Sequence, residues 1–244
     1  MTTRLPIAPE RIADTLSLTS DERHYLVDVL RLCDGDAIEV FDGLGGRYLA
    51  RLSLLNGEGA LLLGERQAEV EETSGVSLAP ALIKNDRLDW VVEKATELGA
   101  MRVLPLQCDN CVVRLDGNKG GQRQARWQKI AQAASRQCGR AFIPEVTAPA
   151  RLEEVLGRAR DAGEVAIILF EREVERSFSE VVRSMDPKQP ILIVSGPEGG
   201  FREEEIARAR ALGARTVSLG KRILRAETAP IAALAIAQAL RGEM

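Results

Sequence analysis

The sequence predicts a two-part chain: a small β-barrel carrying one helix over residues 1–70, then an α/β domain with a mostly parallel sheet over residues 75–244. Three observations predict it. Up to residue 68, short apolar runs alternate with Asp-Gly, Gly-Gly and Asn-Gly pairs, the turn chemistry of hairpins. From Val76 onward, apolar strand-like runs alternate with segments of helical period. In the last quarter, two glycine-punctuated loops each follow a strand-like run and open into a helix: Ser195-Gly-Pro-Glu-Gly-Gly-Phe201 and Leu219-Gly-Lys-Arg-Ile-Leu-Arg-Ala-Glu-Thr-Ala229.

In the first part, residues 37–41 read as a strand closed by Asp42-Gly43 and Gly45-Gly46. Residues 47–54 follow, then Asn56-Gly57, then 60–63. One helix interrupts, with Tyr25, Leu26, Val29 and Leu30 at helical spacing and Ser20 or Asp21 as its cap. The polar stretch 69–74, followed by Gly75, reads as a linker.

In the second part, 76–83 is a strand and 88–98 a helix. Asp86 is placed to cap that helix, and Gly99 to stop it. Leu88, Val91, Val92, Ala95 and Leu98 form its apolar side. Residues 102–106 read as a strand, with Pro105 at an edge or its end. The helix 122–138 turns Trp127, Ile130, Ala131 and Ala134 inward and ends at Gly139. Residues 165–170 are a fully apolar strand, and Ser177 with Glu180 has capping-box spacing. The final helix, with Pro230 in its first turn, is apolar nearly all round. Either the domain or a second subunit must cover it, and a homodimer is expected.

Hydrophobic residues make up 45% of the chain and aromatics 4%, so the core is aliphatic. No signal-like start or bilayer-length apolar run is present, and a soluble cytoplasmic protein without a membrane partner is expected. The cysteines are Cys33, Cys108, Cys111 and Cys138. Cys108-Asp-Asn-Cys111 has metal-knuckle spacing, but the chain has a single histidine, His24, so reduced thiols and no metal are expected. The formal net charge of −3 does not announce a nucleic-acid binder. Even so, Arg114, Lys119, Arg123, Arg126, Lys129, Arg136 and Arg140 cluster against one local acid, Asp116. Such a run is either a solvated helix face or a polyanion-facing surface, and the shortage of local acids favours the second.

Loops at the carboxyl ends of parallel strands hold ligands. Neither a Walker Gly-Lys-Ser/Thr ending nor a G-x-G-x-x-G fingerprint is present, and Glu198 would repel a phosphate. The loops suit a neutral or cationic ligand read by backbone groups, S-adenosylmethionine among them. On composition alone a purely structural strand-to-helix turn stands beside that reading.

The chain resembles the bacterial ribosomal RNA small subunit methyltransferase E family of the SPOUT, or α/β-knot, superfamily. The resemblance is carried by His24-Tyr-Leu-Val-Asp-Val-Leu-Arg31 with Gly35-Asp36 and Phe41-Asp-Gly43, and by Glu93-Lys94-Ala-Thr-Glu97-Leu98-Gly99. Trp127-Gln-Lys-Ile-Ala and Gln137-Cys-Gly-Arg140 with Pro144-Glu145 add to it. Its most specific part is Gly196-Pro-Glu-Gly-Gly200 followed by Leu219-Gly and Arg222-Ile-Leu-Arg225-Ala-Glu227-Thr228. The family implies a PUA-like RNA-binding barrel, a deep trefoil knot in the catalytic domain and a homodimer. It implies S-adenosylmethionine-dependent methylation of N3 of a uridine in 16S rRNA, with that RNA or the small ribosomal subunit as partner. A SPOUT enzyme of ribose 2′-O specificity and a non-catalytic RNA-binding assembly factor are the alternatives.

On that resemblance the cofactor wall is Leu169, Phe170, Glu171, Ser195, Gly196, Glu198, Gly199, Gly200, Leu219, Gly220, Ile223, Leu224, Arg225 and Glu227. Three catalytic roles are expected. Arg140 would stabilise the uracil anion or contact a phosphate, Arg225 would pair with Glu198 or Glu227, and Glu198 is the alternative general base. RNA contacts are expected from Arg4, Arg31, Arg114, Lys119, Arg136 and Arg140.

Overall fold

The computed structural model describes residues 3–54, 59–67, 71, 73–84, 86–115 and 118–244. The expected Asn56-Gly57 turn, Asp116, and residues 69, 70 and 72 of the expected linker lie outside the described residues. The chain packs as two units: Met1–Glu72 with Ser135–Ile143, and Thr73–Ala134 with Pro144–Met244.

The first unit is built on a five-stranded sheet. Its strands are β1 (Arg4–Pro6), β2 (Thr15–Ser17), β3 (Ala37–Phe41), β4 (Arg47–Ser53) and β5 (Ala60–Arg66), in the order β1-β3-β4-β5-β2. A barrel was the expectation; among the described residues no ladder joins β1 to β2, and these two end strands are only three residues long. The β3–β4 connection is an Asx turn, in which the Asp42 carboxylate accepts from the backbone N–H groups of Leu44 (2.8 Å) and Gly46 (2.9 Å). The core is aliphatic: Leu5, Leu16, Leu26, Ile38, Val40, Leu52 and Leu61 are all buried.

The helix α1 (Ser20–Arg23) is capped by neither Ser20 nor Asp21. Thr19 is the cap, because Glu22 stands three residues on and completes a reciprocal capping box. The chain continues as a π-helical stretch, His24–Val29, capped by Leu30 and followed by Arg31 in the left-handed conformation (φ 58°).

The second unit is a six-stranded parallel sheet in the order β13-β11-β12-β6-β7-β9. Its strands are β6 (Val76–Pro80), β7 (Arg102–Val103), β9 (Glu145–Val146), β11 (Val165–Leu169), β12 (Ile191–Ser195) and β13 (Arg215–Val217). A separate two-stranded ladder pairs β8 (Leu106–Gln107) with β10 (Ala150–Arg151). The expected 102–106 strand is thus split: Pro105 has no N–H to give, and β7 stops before it. Residues of β6 and β12 are buried throughout, and each large aliphatic side chain contributes about 1.5–3 kcal/mol; the one polar residue inside β6, Ser77, donates its hydroxyl to Glu164.

The helices are α2 (Arg87–Glu97), α3 (Asn118–Cys138), α4 (Leu152–Asp161), α5 (Phe178–Arg183), α6 (Glu203–Ala211) and α7 (Thr228–Arg241). Asp86 does not cap α2. It sits in the left-handed region (φ 53°) with its carboxylate paired to Arg123. Ser177 does not cap α5 either, because its hydroxyl meets that of Ser179 instead. The apolar α7 packs on β6, β12, α2 and α5 and buries Pro230, Ala233, Leu234, Ala237 and Gln238, so its own domain covers one face. Gln238 Nε2 donates to the Leu98 carbonyl (2.7 Å) at the end of α2.

Candidate active site

Three adjacent parallel strands bring their carboxyl ends to one edge of the sheet. Leu169, the last residue of β11, is level with Ser195 of β12 on one side and Val217 of β13 on the other. The loops that follow therefore leave the sheet side by side. They wall a cleft of about 650 Å³, within the range of small-molecule sites. Leu169, Phe170 and Glu171 form one part of the wall, 195–200 the second, and 218–227 the third. Arg87, at the start of α2, closes it by pairing with Glu227 (3.1 Å).

The glycines shape this wall. Gly200 has φ +66°, and a Cβ there would lie 2.7 Å from Glu171 Oε1. At Gly196 a Cβ would lie 3.0 Å from the Phe201 ring, which folds under the loop and is buried. The loop after β11 is itself anchored: Glu173 accepts from the Thr216 hydroxyl (2.6 Å) and from Arg210 (3.2 Å). The Thr216 hydrogen bond, with help from Arg210, holds the Glu173 carboxyl below its ordinary range.

Three features say what the cleft would accept. Ser195 Oγ is buried in its wall without a hydrogen-bond partner among the described residues, which leaves its hydrogen-bonding capacity for a ligand. Glu171 and Glu198 stand exposed at the wall, beside loops whose backbone is bare at Gly199 and Gly200. The same wall carries the exposed cations Lys221, Arg222 and Arg225, so a polar, hydrogen-bonding ligand with both a positive and a negative group fits this set, and S-adenosylmethionine, with its sulfonium and its carboxylate, is such a ligand.

The model of the RNA methyltransferase domain matches residues 70–238, and that of the RNA methyltransferase PUA domain matches 18–63. Ribosomal RNA small subunit methyltransferase E of Bacillus subtilis is 34% identical over 228 residues, covering 91% of this chain and 89% of its own. The protein of that name from Synechocystis is 36% identical over 241 residues, covering 98% and 78%. This chain belongs to the ribosomal RNA small subunit methyltransferase E family. Among solved structures, the Neisseria gonorrhoeae member bound to S-adenosylmethionine superposes with a TM-score of 0.83 at 31% identity, covering 98% of both chains. A Legionella pneumophila protein in complex with the same cofactor gives 0.84 at 30% identity, again over 98% of both.

In this family member, every residue expected in the cofactor wall lines the one cleft. The ion pairs expected of Arg225 are not formed. Glu227 is taken by Arg87, Glu198 Oε1 accepts from the Lys84 backbone N–H (3.1 Å), and the Arg225 side chain is exposed at the cleft wall. Arg140 is not among the cleft-lining residues. It is buried in the first unit, where its Nε donates to Glu71 Oε1 (2.8 Å) and its guanidinium lies over the Phe142 ring.

The expected RNA contacts divide in the same way. Arg4 is held inside the first unit by Glu39 (2.6 Å) and the carbonyls of Ser135 and Arg140, stacked on Phe41. Arg136 lies over the Tyr25 ring, 4.7 Å from its centroid. Arg31, Arg114 and Lys119 are exposed and make no ion pair among the described residues. The basic run is also less uncompensated than its sequence implied, because Arg123 pairs with Asp86 and Arg126 with Asp89 of α2.

Sequence reasoning missed Arg87, Pro197, Ser218, Lys221, Arg222, Ala226 and Ala229 as lining residues. All but Arg87 lie within or beside the two loops already singled out. Arg87 comes from 140 positions away from its partner, and the only hint was a carboxylate, Glu227, that needed a cation.

Cys108 and Cys111 are buried free thiols, with the Cys108 N–H donating to Cys111 Sγ (3.2 Å). The Cys108 thiol is pushed up by its neighbour's sulfur and by burial, whereas Cys111 is lowered by the hydrogen bonds it receives. No group of metal-ligating side chains is assembled among the described residues. No helix among them is long and apolar enough to cross a membrane.

Proposed function

We propose that this protein transfers a methyl group from S-adenosylmethionine to N3 of a uridine in 16S rRNA. The observation that carries this reading is the single cleft built from three parallel strand ends, walled by the Gly196–Gly200 and Leu219–Glu227 motifs of the family. S-adenosylmethionine supplies an electrophilic methyl on a sulfonium. The chain's own part is mostly positioning: its loop backbone, the open Ser195 hydroxyl and the Glu171 and Glu198 carboxylates fix the donor so that nucleophile, methyl and sulfur align.

Uracil N3 carries a proton and lies on the pairing edge, so the base must be unpaired and its N3 proton lost. Arg225, exposed at the wall and free of Glu198 and Glu227, is the guanidinium we assign to the developing uracil anion. Glu198 is the wall carboxylate available as the base. Arg140 serves a different end, keeping residues 135–143 on the first unit through Glu71.

RNA contacts are assigned to Arg31, Arg114 and Lys119. Residues 1–70 and 75–244 are taken as the RNA-binding and catalytic domains. The catalytic domain is taken as knotted in this proposal, as the family resemblance implies; α7 follows the edge strand β13 and packs back on β12 and β6. A homodimer is supported by Ile231, Ala232, Ala235 and Ile236 on the half-buried side of α7, and the reaction is placed in the cytoplasm. The test is mass spectrometry of 16S rRNA nucleosides from cells with and without the gene. Gene-dependent 3-methyluridine at one position is expected, and a gene-dependent ribose 2′-O-methyl would install the rival specificity.

A further inference from the structure

The Cys108-Asp-Asn-Cys111 turn is the motif that the catalytic reading leaves unused. It lies directly against the back of the Gly196–Gly200 loop. Asn110 Nδ2 donates to two successive carbonyls of that loop, Gly199 O at 3.2 Å and Gly200 O at 3.1 Å. Both distances are within the ordinary hydrogen-bond range. The amide's other end is also occupied: Arg202 Nε donates to Asn110 Oδ1 at 3.2 Å. Since a guanidinium can only donate, Oδ1 must face Arg202 and the NH₂ must face the glycine carbonyls. The backbone is so close that a Cβ on Gly199 would lie 3.2 Å from Asn110 Cβ.

The turn that presents Asn110 is held from both sides. Cys111 N–H donates to the Cys108 carbonyl (3.1 Å), and Cys108 N–H donates to Cys111 Sγ. The buried Glu205 carboxylate then bridges the turn to the start of α6, accepting from Asp109 N–H (2.9 Å) and Arg202 N–H (3.0 Å).

We propose that Asn110 is a positioning residue for the cofactor-binding loop. By gripping two consecutive carbonyls from outside the cleft, it fixes the peptide planes at Gly199 and Gly200. Those residues have no side chains with which to fix themselves, and glycine's backbone freedom is greatest. Without the grip, the loop must be ordered when the donor binds, and affinity falls by that ordering cost. The inference rests on the reading of this cleft as the S-adenosylmethionine site.

The test is calorimetric titration of S-adenosylmethionine into the full chain and into Asn110→Ala and Asn110→Asp, with thermal unfolding recorded alongside. Asn110→Asp keeps the side-chain volume and removes the donors. We expect both variants to raise the Kd about tenfold, the scale of one to two lost hydrogen bonds. In methyl transfer the loss appears in the KM for S-adenosylmethionine, while kcat at saturating donor stays within about threefold. Wild-type protein that binds donor, with both variants within about twofold of it, overturns the inference alone. So does a loss confined to Asn110→Ala and matched by a fall in Tm, which would assign Asn110 to packing. Absence of binding by the wild type overturns the cofactor reading itself.

Discussion

Gly200 is where the cleft wall makes its strongest demand on the sequence, and Gly200→Ala measures that demand. The residue sits at φ +66°, in the turn closed by its own N–H donating to the Pro197 carbonyl (2.9 Å). An L-residue in that conformation costs roughly 1–2 kcal/mol. The new methyl group also meets Glu171 Oε1 at 2.7 Å, but Glu171 is exposed and its carboxylate can swing aside, so that contact adds little. The strain has two outlets. If the loop keeps its shape, unfolding stability falls by roughly 1–2 kcal/mol; if it relaxes, donor affinity falls roughly 5- to 30-fold. Calorimetry with S-adenosylmethionine and denaturant unfolding of the same samples give both losses, and their sum is the predicted quantity. Adding Glu171→Ala to Gly200→Ala should leave the unfolding stability unrestored, because the strain is in the backbone. A summed loss below about 0.5 kcal/mol, or recovery of that stability in the double variant, would refute the reasoning.

Three further outcomes follow from the same geometry. Arg225→Ala should lower methyl transfer about 100-fold with unchanged Tm and donor Kd, because its exposed guanidinium is assigned to the developing anion and not to the fold; single-turnover kinetics reads this. Arg4→Ala should destabilise the first unit by about 1–3 kcal/mol in urea unfolding, because it breaks the pair with Glu39 and the bonds to Ser135 and Arg140 carbonyls. The salt slope of RNA binding should stay the same, since no phosphate contact is removed. Glu173→Gln should cost about 1 kcal/mol at neutral pH, through its bonds to Thr216 and Arg210. The native Glu173 carboxyl is lowered, so its contribution is present above the ordinary carboxylate range and disappears as pH falls through the lowered value. The stability gap between wild type and Glu173→Gln should therefore close in acid, as pH-dependent thermal unfolding would record.

The parts of the fold legible in the sequence are those where one physical pattern dominates. Residues 165–170 and 191–194 are uninterrupted apolar runs, and β11 and β12 are found there as adjacent interior strands of the sheet. The 88–98 periodicity reappears as α2 with Leu88, Val91, Val92 and Ala95 inward. Strands of two or three residues, such as β1, β2, β7 and β9, have too few positions to carry a period, and they were missed or merged. The Asp86 and Ser177 caps failed because a nearby side chain competed for each oxygen, Arg123 in one case and Ser179 in the other. The charge cluster misled for the same reason, since counting acids within one segment cannot see Asp86, just before α2, and Asp89, within it, arriving from elsewhere in the chain. In the cleft, the two glycine loops were readable because a strand end, a glycine and a following helix are local features. Arg87 and Asn110 were not, because each acts on a residue about 90 positions or more away.

A co-crystal structure with S-adenosylmethionine goes to the heart of the matter. The donor should be found among Leu169, Ser195, Gly200 and Leu219, hydrogen-bonded to loop backbone and to Ser195 Oγ. A donor seated anywhere else on the chain, with this cleft left to solvent, would dismantle the assignment of every residue in it.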